Sequence, residues 1–237
     1  MKNIGLVERE TVHEQVYSKL SEALLDGQFA PGDTMQIRKL AAVVGTSSMP
    51  VRDALRTLVA ERALVLLPNR TVAVPELTQL EIQELTMLRS AVEGIVSAKA
   101  VENISDTTIE NLQQLNTSMH DAIANSNIKE YLRLNRVFHF SIYESSESHI
   151  IIDYIKLTWL RVGPVFNYLL GGEWNASNRQ STKEETDFLC GNHELAIEGL
   201  KSRDAEKVRQ AITADIAECG EYLATLLEKQ NTMSNEK

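Results

Sequence analysis

Four side chains in the second half of the sequence carry the chemistry of a metal site: Asn135, His139, His193 and Asp215. Each falls on the apolar stripe of a helical segment. Over residues 128–144 the stripe reads Ile128, Tyr131, Leu132 and Ile142, and Asn135 and His139 occupy its missing positions. Over 181–201 it reads Leu189, Ala196, Ile197 and Leu200, with His193 among them. In the last segment Val208, Ala211, Ile212, Cys219, Tyr222 and Leu226 form the stripe, and Asp215 lies on it. Stripe residues face the core, and a buried carboxylate without a partner is costly. A divalent transition metal would satisfy all four residues at once; two imidazoles with oxygen ligands suit Zn²⁺, Ni²⁺, Mn²⁺ or Fe²⁺. The i,i+4 spacing of Asn135 and His139 sends both side chains the same way. A plain buried ion pair between His193 and Asp215 is the competing reading.

The first 75 residues offer a different chemistry. Arg52 and Arg56 are four apart on one face of a short helical segment, Arg38 and Lys39 open the segment before it, and Arg70 sits between two β-favouring runs. An arginine fork donates two parallel hydrogen bonds, which suits phosphates and guanine edges.

The elements that must hold these residues are legible from caps and breakers. Thr11 and Glu14 form a capping box that opens a helix through about Leu25, and Asp26-Gly27 stops it. Pro31-Gly32-Asp33 is a turn. A short helix over Ile37–Val43 closes at Gly45, and Ser47 or Ser48 caps a third helix through about Arg62. Leu64–Leu67 and Thr71–Val74, separated by Pro68-Asn69-Arg70, read as a small hairpin. Beyond Pro75 the pattern is helical throughout: Thr78 and Glu81 form a second capping box for a helix to about Glu102, and further helices fall at about 106–125, 128–144, 149–170, 181–201 and 205–229. Gly171 to Asn178 reads as a loop and Asn231–Lys237 as a frayed tail. The expected fold is mainly α: a winged helix-turn-helix over residues 1–75 and an all-α antiparallel helical bundle over 76–237.

Charge divides along the same line. Of the net charge of -9, the first 75 residues carry +1 and the remainder -10, so a basic surface can exist locally on the first part. Apolar residues make up 43% of the chain and aromatics only 5%, which favours a helical core. No run approaches the ~18 apolar residues of a membrane span, and residues 1–30 lack a secretory apolar region. The expectation is a soluble, cytoplasmic protein with no membrane partner. Cys190 and Cys219 do not make a disulfide framework and read as reduced packing residues.

Two stretches resemble known families. Gly27-Gln-Phe-Ala-Pro-Gly-Asp33, Ile37-Arg-Lys-Leu-Ala41 and Val44-Gly-Thr-Ser-Ser-Met-Pro-Val-Arg-Asp-Ala-Leu55 resemble the GntR family of transcription regulators. The resemblance implies operator contacts by Arg38 and Arg52, with Ser47, Ser48 and Met49 near the bases. Many relatives carry Arg where Ser48 stands and Gly where Asn69 stands. From about residue 78, Phe138-His139-Phe-Ser-Ile142, His193-Glu-Leu-Ala-Ile197, Asp204-Ala205 and Asp215 resemble the FadR C-terminal (FCD) ligand-binding domain. Its metal-binding members use Asp or Asn followed by three histidines. Those positions fall on Asn135, His139, His193 and Asp215, the last replacing a histidine. The family also places an arginine near the effector, and Arg89 fits. It would clamp an effector carboxylate, or else pair with Glu93 on the surface.

These readings converge on a transcription regulator, not an enzyme. It would bind double-stranded operator DNA as a homodimer and sense a small organic acid at a metal site. A metal sensor without an organic effector is one alternative. A metal-dependent helical-bundle enzyme is another, although no nucleophile or acid–base motif stands beside the histidines.

Overall fold

The computed structural model describes residues 11–167 and 183–235, with side chains described as far as Asn167 and again over 188–228. The chain begins with α1 (Val12–Leu25), whose first turn is closed by the expected capping box: Thr11 N donates to Glu14 Oε2 at 2.6 Å and Glu14 N to Thr11 Oγ1 at 3.2 Å. Next come α2 (Ile37–Val44) and α3 (Ser48–Ala60), joined through Gly45 at φ 71, a left-handed cap that glycine adopts without steric cost. Val51, Ala54, Leu55 and Leu58 turn the inner face of α3 onto Val16, Leu20 and Leu24 of α1. Strands β1 (Val65–Leu66) and β2 (Val72–Ala73) pair antiparallel, Val65 opposite Ala73 and Leu66 opposite Val72. Thr34 bridges to Ala73 on the other edge, so the wing is seated on the body of the head. At the wing tip Arg70 stands at φ 63, closing the Pro68-Asn69-Arg70 loop with a left-handed residue.

The second half is all α: α4 (Gln79–Ala100), α5 (Asp106–Ala124), α6 (Ile128–Ser145), α7 (His149–Val162), α8 (Lys183–Lys201) and α9 (Ala205–Asn235). Helix α9 lies along α4 and against α8, and α5 packs on α6 and α8. Their stripes form one apolar core, with Phe138, Ile142, Tyr143, Ile155 and Trp159 at most 1% exposed.

Three expectations need correction or fall outside the described residues. The helix expected over 149–170 ends at Val162, and Gly163–Phe166 form a 3₁₀ turn. Pro164 lacks the N–H that would continue the helix, and Gly163 abuts the head so closely that a Cβ there would stand 2.6 Å from Leu24 O. The frayed tail expected from Asn231 is helical to Asn235, since 231–235 hold neither Gly nor Pro to stop α9. The loop expected over Gly171–Asn178 lies outside the described residues.

The head's apolar core is not closed by head residues alone. Leu160 of α7 is 2% exposed within it, and Leu157 packs alongside.

Candidate functional site

Helices α6, α8 and α9 bring His139, His193 and Asp215 together, with donor atoms all within 4.8 Å of one another. His139 Nε2 stands 3.2 Å from Asp215 Oδ2, and His193 Nε2 stands 3.3 Å from Asp215 Oδ1. Asn135, one turn before His139, lines the same small cavity with Tyr131, Phe166 and Cys219. Three of the four residues therefore meet from three helices, Asn135 lines the cavity beside His139 and Asp215, and the competing His193–Asp215 pair is present within the same group.

Hydrogen bonding places a proton on Nδ1 of His139. Glu93 on α4 is fully buried. Its Oε1 accepts from Arg89 Nε at 2.7 Å. Its Oε2 accepts from Tyr143 Oη at 2.5 Å, Trp159 Nε1 at 3.0 Å and Arg89 Nη2 at 3.2 Å. Tyr143 has one hydroxyl proton, and Glu93 takes it. Its oxygen can then only accept, so His139 Nδ1, 2.9 Å away, is the donor. A neutral His139 with its proton on Nδ1 turns a bare lone pair from Nε2 toward the Asp215 carboxylate. Two lone pairs facing each other repel; a second proton on His139 or a cation between them removes the conflict.

His193 poses the same question. It is fully buried, and neither ring nitrogen has a hydrogen-bond partner among the described residues. The 3.3 Å approach of Nε2 to Asp215 is not aligned for one. Burial pushes the His193 imidazole down to about 4 against the pull of Asp215, so the ring is neutral at neutral pH and one of its nitrogens carries a free lone pair. Burial alone would raise the Asp215 carboxyl. The positive charge that His193 and His139 carry when protonated, together with that of Arg89, outweighs it and keeps the group below its ordinary value.

The donor set fits a cation. Ligand atoms bound tetrahedrally at about 2.0–2.1 Å stand about 3.3 Å apart, the spacing of the two N···O contacts. The Tyr143–Glu93 chain also supplies the hydrogen-bonded backing that metal-binding imidazoles ordinarily have. As it stands the cavity is only about 20 Å³, room for about one water.

Arg89 departs from one expectation. Its ion pair with Glu93 is buried, not on the surface: both side chains are at most 8% exposed, and the guanidinium lies 4.5 Å from the Trp159 ring centroid. Glu93 already engages Nε and Nη2, which leaves Nη1 as the free edge. Glu93 was legible as the i+4 partner of Arg89, and Tyr143 could have been found as the i+4 neighbour of His139. Trp159 carries no sequence signal of its role.

Three pairs of consecutive residues connect this centre to the head. Asn135 lines the cavity, and Arg136 beside it donates from Nε to Asp26 Oδ1 at 2.7 Å. Trp159 holds Glu93, and Leu160 beside it enters the head core. Phe166 lines the cavity, and the Asn167 amide beside it donates to Gly27 O at 2.6 Å and Phe29 O at 2.8 Å. The first and third converge on the C-cap of α1 and the turn after it.

On the head, Ser47, Ser48, Met49, Arg52 and Arg56 are exposed at the start and along the outer face of α3, with Arg38 exposed on α2 and Arg70 at the wing tip. Ser47 is the N-cap of α3, but its hydroxyl makes no cap hydrogen bond. Arg56 pairs with Asp53 at 3.3 Å. No partner for Arg38, Arg52 or the Arg70 side chain is found among the described residues.

A winged helix-turn-helix joined to a helical domain with a buried polar centre is the make-up of a ligand-controlled transcription regulator. Residues 12–74 match the model of the bacterial regulatory proteins of the gntR family, residues 84–218 match the FCD domain, and the chain belongs to the GntR regulators that carry an FCD domain. It is 29% identical to the HTH-type transcriptional regulator McbR of Escherichia coli K12 over 231 residues, 98% of this chain and all of that one. The solved structure of E. coli McbR/YncC superposes with a TM-score of 0.82 at 28% identity, over 94% of this chain and 100% of that chain. The gluconate operon transcriptional repressor of Bacillus licheniformis is 24% identical over 204 residues, 86% of this chain and 82% of its own. These families and relatives are regulators, and on that ground the enzyme reading is set aside. No helix among the described residues is long and apolar enough to cross a membrane.

Proposed function

We propose that this regulator binds operator DNA as a homodimer through its winged head (about residues 1–75), and that a divalent transition metal held by Asn135, His139, His193 and Asp215 in the helical domain (about 76–237) controls that binding. The observation that carries the metal is the 3.2 Å approach of His139 Nε2 to Asp215 on a ring whose Nδ1 already holds a proton, reinforced by the unpartnered nitrogens of His193. A bound cation would supply the positive charge these lone pairs face, and a coordination position for the oxygen of a small organic acid. Arg89 Nη1 would take the acid's second oxygen.

The narrow cavity favours a second reading. An acid must first open a space of about 20 Å³, whereas a metal ion alone fits it, and the ion would then itself be the signal.

The homodimer is supported by the α4–α7 face. Leu88, Ile95 and Tyr154 are 50%, 61% and 66% exposed, and with Val92 and Ile151 they line an apolar groove of about 470 Å³. Exposed apolar patches of this kind mark association surfaces, and an isologous contact there would place two heads on a two-fold operator.

Elemental analysis of the purified protein beside His139→Ala/His193→Ala tests the centre, with metal expected to fall to background in the double variant. Equal metal content would remove it. Operator binding by Arg52→Ala tests the head, and an undiminished affinity would contradict the assignment.

A further inference from the structure

The outer face of α3 holds one large apolar side chain among polar ones. Met49, in the first turn, is 64% exposed. Ser48 precedes it on the same exposed turn, and Arg52 follows three residues on, without an ion-pair or hydrogen-bond partner among the described residues. Val51, Ala54, Leu55 and Leu58 occupy the buried side, so helical geometry commits Met49 to the outward one. The unused cap hydroxyl of Ser47 stands at the same end.

The first residues of a recognition helix are the ones that reach base edges. A thioether is at best a weak acceptor, so it does not read a base by hydrogen bonding. One apolar feature distinguishes base pairs in the major groove, the C5-methyl of thymine. A flexible, polarisable side chain is suited to pack on it. Arg52, one turn further along with both edges of its fork unengaged, suits guanine O6 and N7.

We propose that Met49 is a specificity-determining residue that packs on a thymine methyl in each operator half-site, close to a guanine read by Arg52. This rests on the DNA-binding reading above, and it adds which base the apolar contact selects and through which atom.

The experiment uses the full chain. Duplexes are enriched from a random pool, and each thymine of the enriched half-site is then replaced singly by deoxyuridine, which removes only the 5-methyl. Wild type should lose roughly fourfold in affinity at one position per half-site, the worth of one buried methyl. Met49→Ala, which loses the contact in both half-sites, should bind the thymine operator as weakly as wild type binds an operator with uridine at that position in both half-sites, and should be indifferent to the replacement. Met49→Leu should keep the sensitivity. Because Met49 is exposed, both variants should keep the wild-type melting temperature. Uridine tolerated at every position, or full methyl sensitivity retained in Met49→Ala, would overturn the assignment. If no duplex is enriched at all, the DNA-binding reading itself fails and this inference with it.

Discussion

Replacing Tyr143 by Phe probes the centre without touching any residue that would hold the ion. The ring volume is kept, so no cavity opens in the core, where Tyr143 is 0% and His139 1% exposed. What disappears is one oxygen, 2.9 Å from His139 Nδ1, and one proton, given to Glu93. Glu93 keeps the two Arg89 bonds and Trp159. His139 keeps nothing on Nδ1. A buried donor left alone costs about 1–3 kcal/mol, and the cheapest escape is to move its proton to Nε2, where it can reach Asp215. That tautomer no longer offers a lone pair to a cation. Loss of the group that backs a metal-binding imidazole typically lowers metal affinity about 10–100-fold, or about 1.4–2.7 kcal/mol. Metal-stripped protein would be titrated with Zn²⁺ against a chromophoric chelator, and unfolding followed by urea with and without Zn²⁺. The variant should lose more stability in the loaded protein than in the stripped protein, by the free energy the titration gives. Affinity within twofold of wild type, or equal destabilisation in both states, would refute the tautomer reasoning and leave His139 as an ordinary protonated partner of Asp215.

Three further outcomes follow from the same geometry. Arg136→Ala should lower the ratio of operator affinities measured with and without metal toward one while metal binding stays within twofold, because the 2.7 Å bond to Asp26 ties α6 to the head; an unchanged ratio by fluorescence anisotropy would count against that link. Arg70→Gly should raise stability by about 1 kcal/mol, since φ 63 suits glycine, yet weaken operator binding; a variant that is more stable and binds equally well would remove Arg70 from the interface. Metal-stripped protein should lose stability as pH falls from about 6.5, where an unfolded histidine takes its proton, to about 4, where buried His193 does. Over that window the unfolded state binds the extra proton, so unfolding gains on the order of 3 kcal/mol. His193→Gln should flatten this part of the urea-midpoint profile, and an identical slope in the variant would show that other groups carry it.

Much of the molecule was legible before any coordinates. Capping boxes at Thr11 and Thr78 and the left-handed stop at Gly45 are local, so they read directly from the chain. Inward polar residues on three apolar stripes located the centre because a stripe interrupted by His or Asp is costly unless the interruptions meet. What the sequence hid was contact between elements distant in the chain. Nothing near Trp159 announces a bond to Glu93, 66 residues away. Nothing near Leu160 announces that it completes the core of the other domain. The boundary at residue 75 also looks cleaner in the sequence than in the structure, because composition changes there while packing runs across it. Arg89 was open to two readings for the same reason: its i+4 partner was visible, but its burial was set by α7, which periodicity alone does not place against α4.

That packing suggests how a signal too small to span the molecule can still move the head. Neighbouring residues on a helix point about 100° apart. Asn135, Trp159 and Phe166 therefore face the centre while Arg136, Leu160 and Asn167 face the head. A rotation of α6 would move the Arg136 contact, and a rotation of α7 with its 3₁₀ extension would move those of Leu160 and Asn167. The targets of Arg136 and Asn167, which are Asp26 and the carbonyls of Gly27 and Phe29, lie within one short stretch of chain. Part of the hold on the head thus falls on the turn after α1. Coupling between two sites is usually worth about 1–3 kcal/mol, and loss or realignment of one charged hydrogen bond of the Arg136–Asp26 kind is of that size. If an ion at the centre controls the grip on DNA as proposed, it need not reshape the bundle; it has only to favour one seating of the turn after α1 over another.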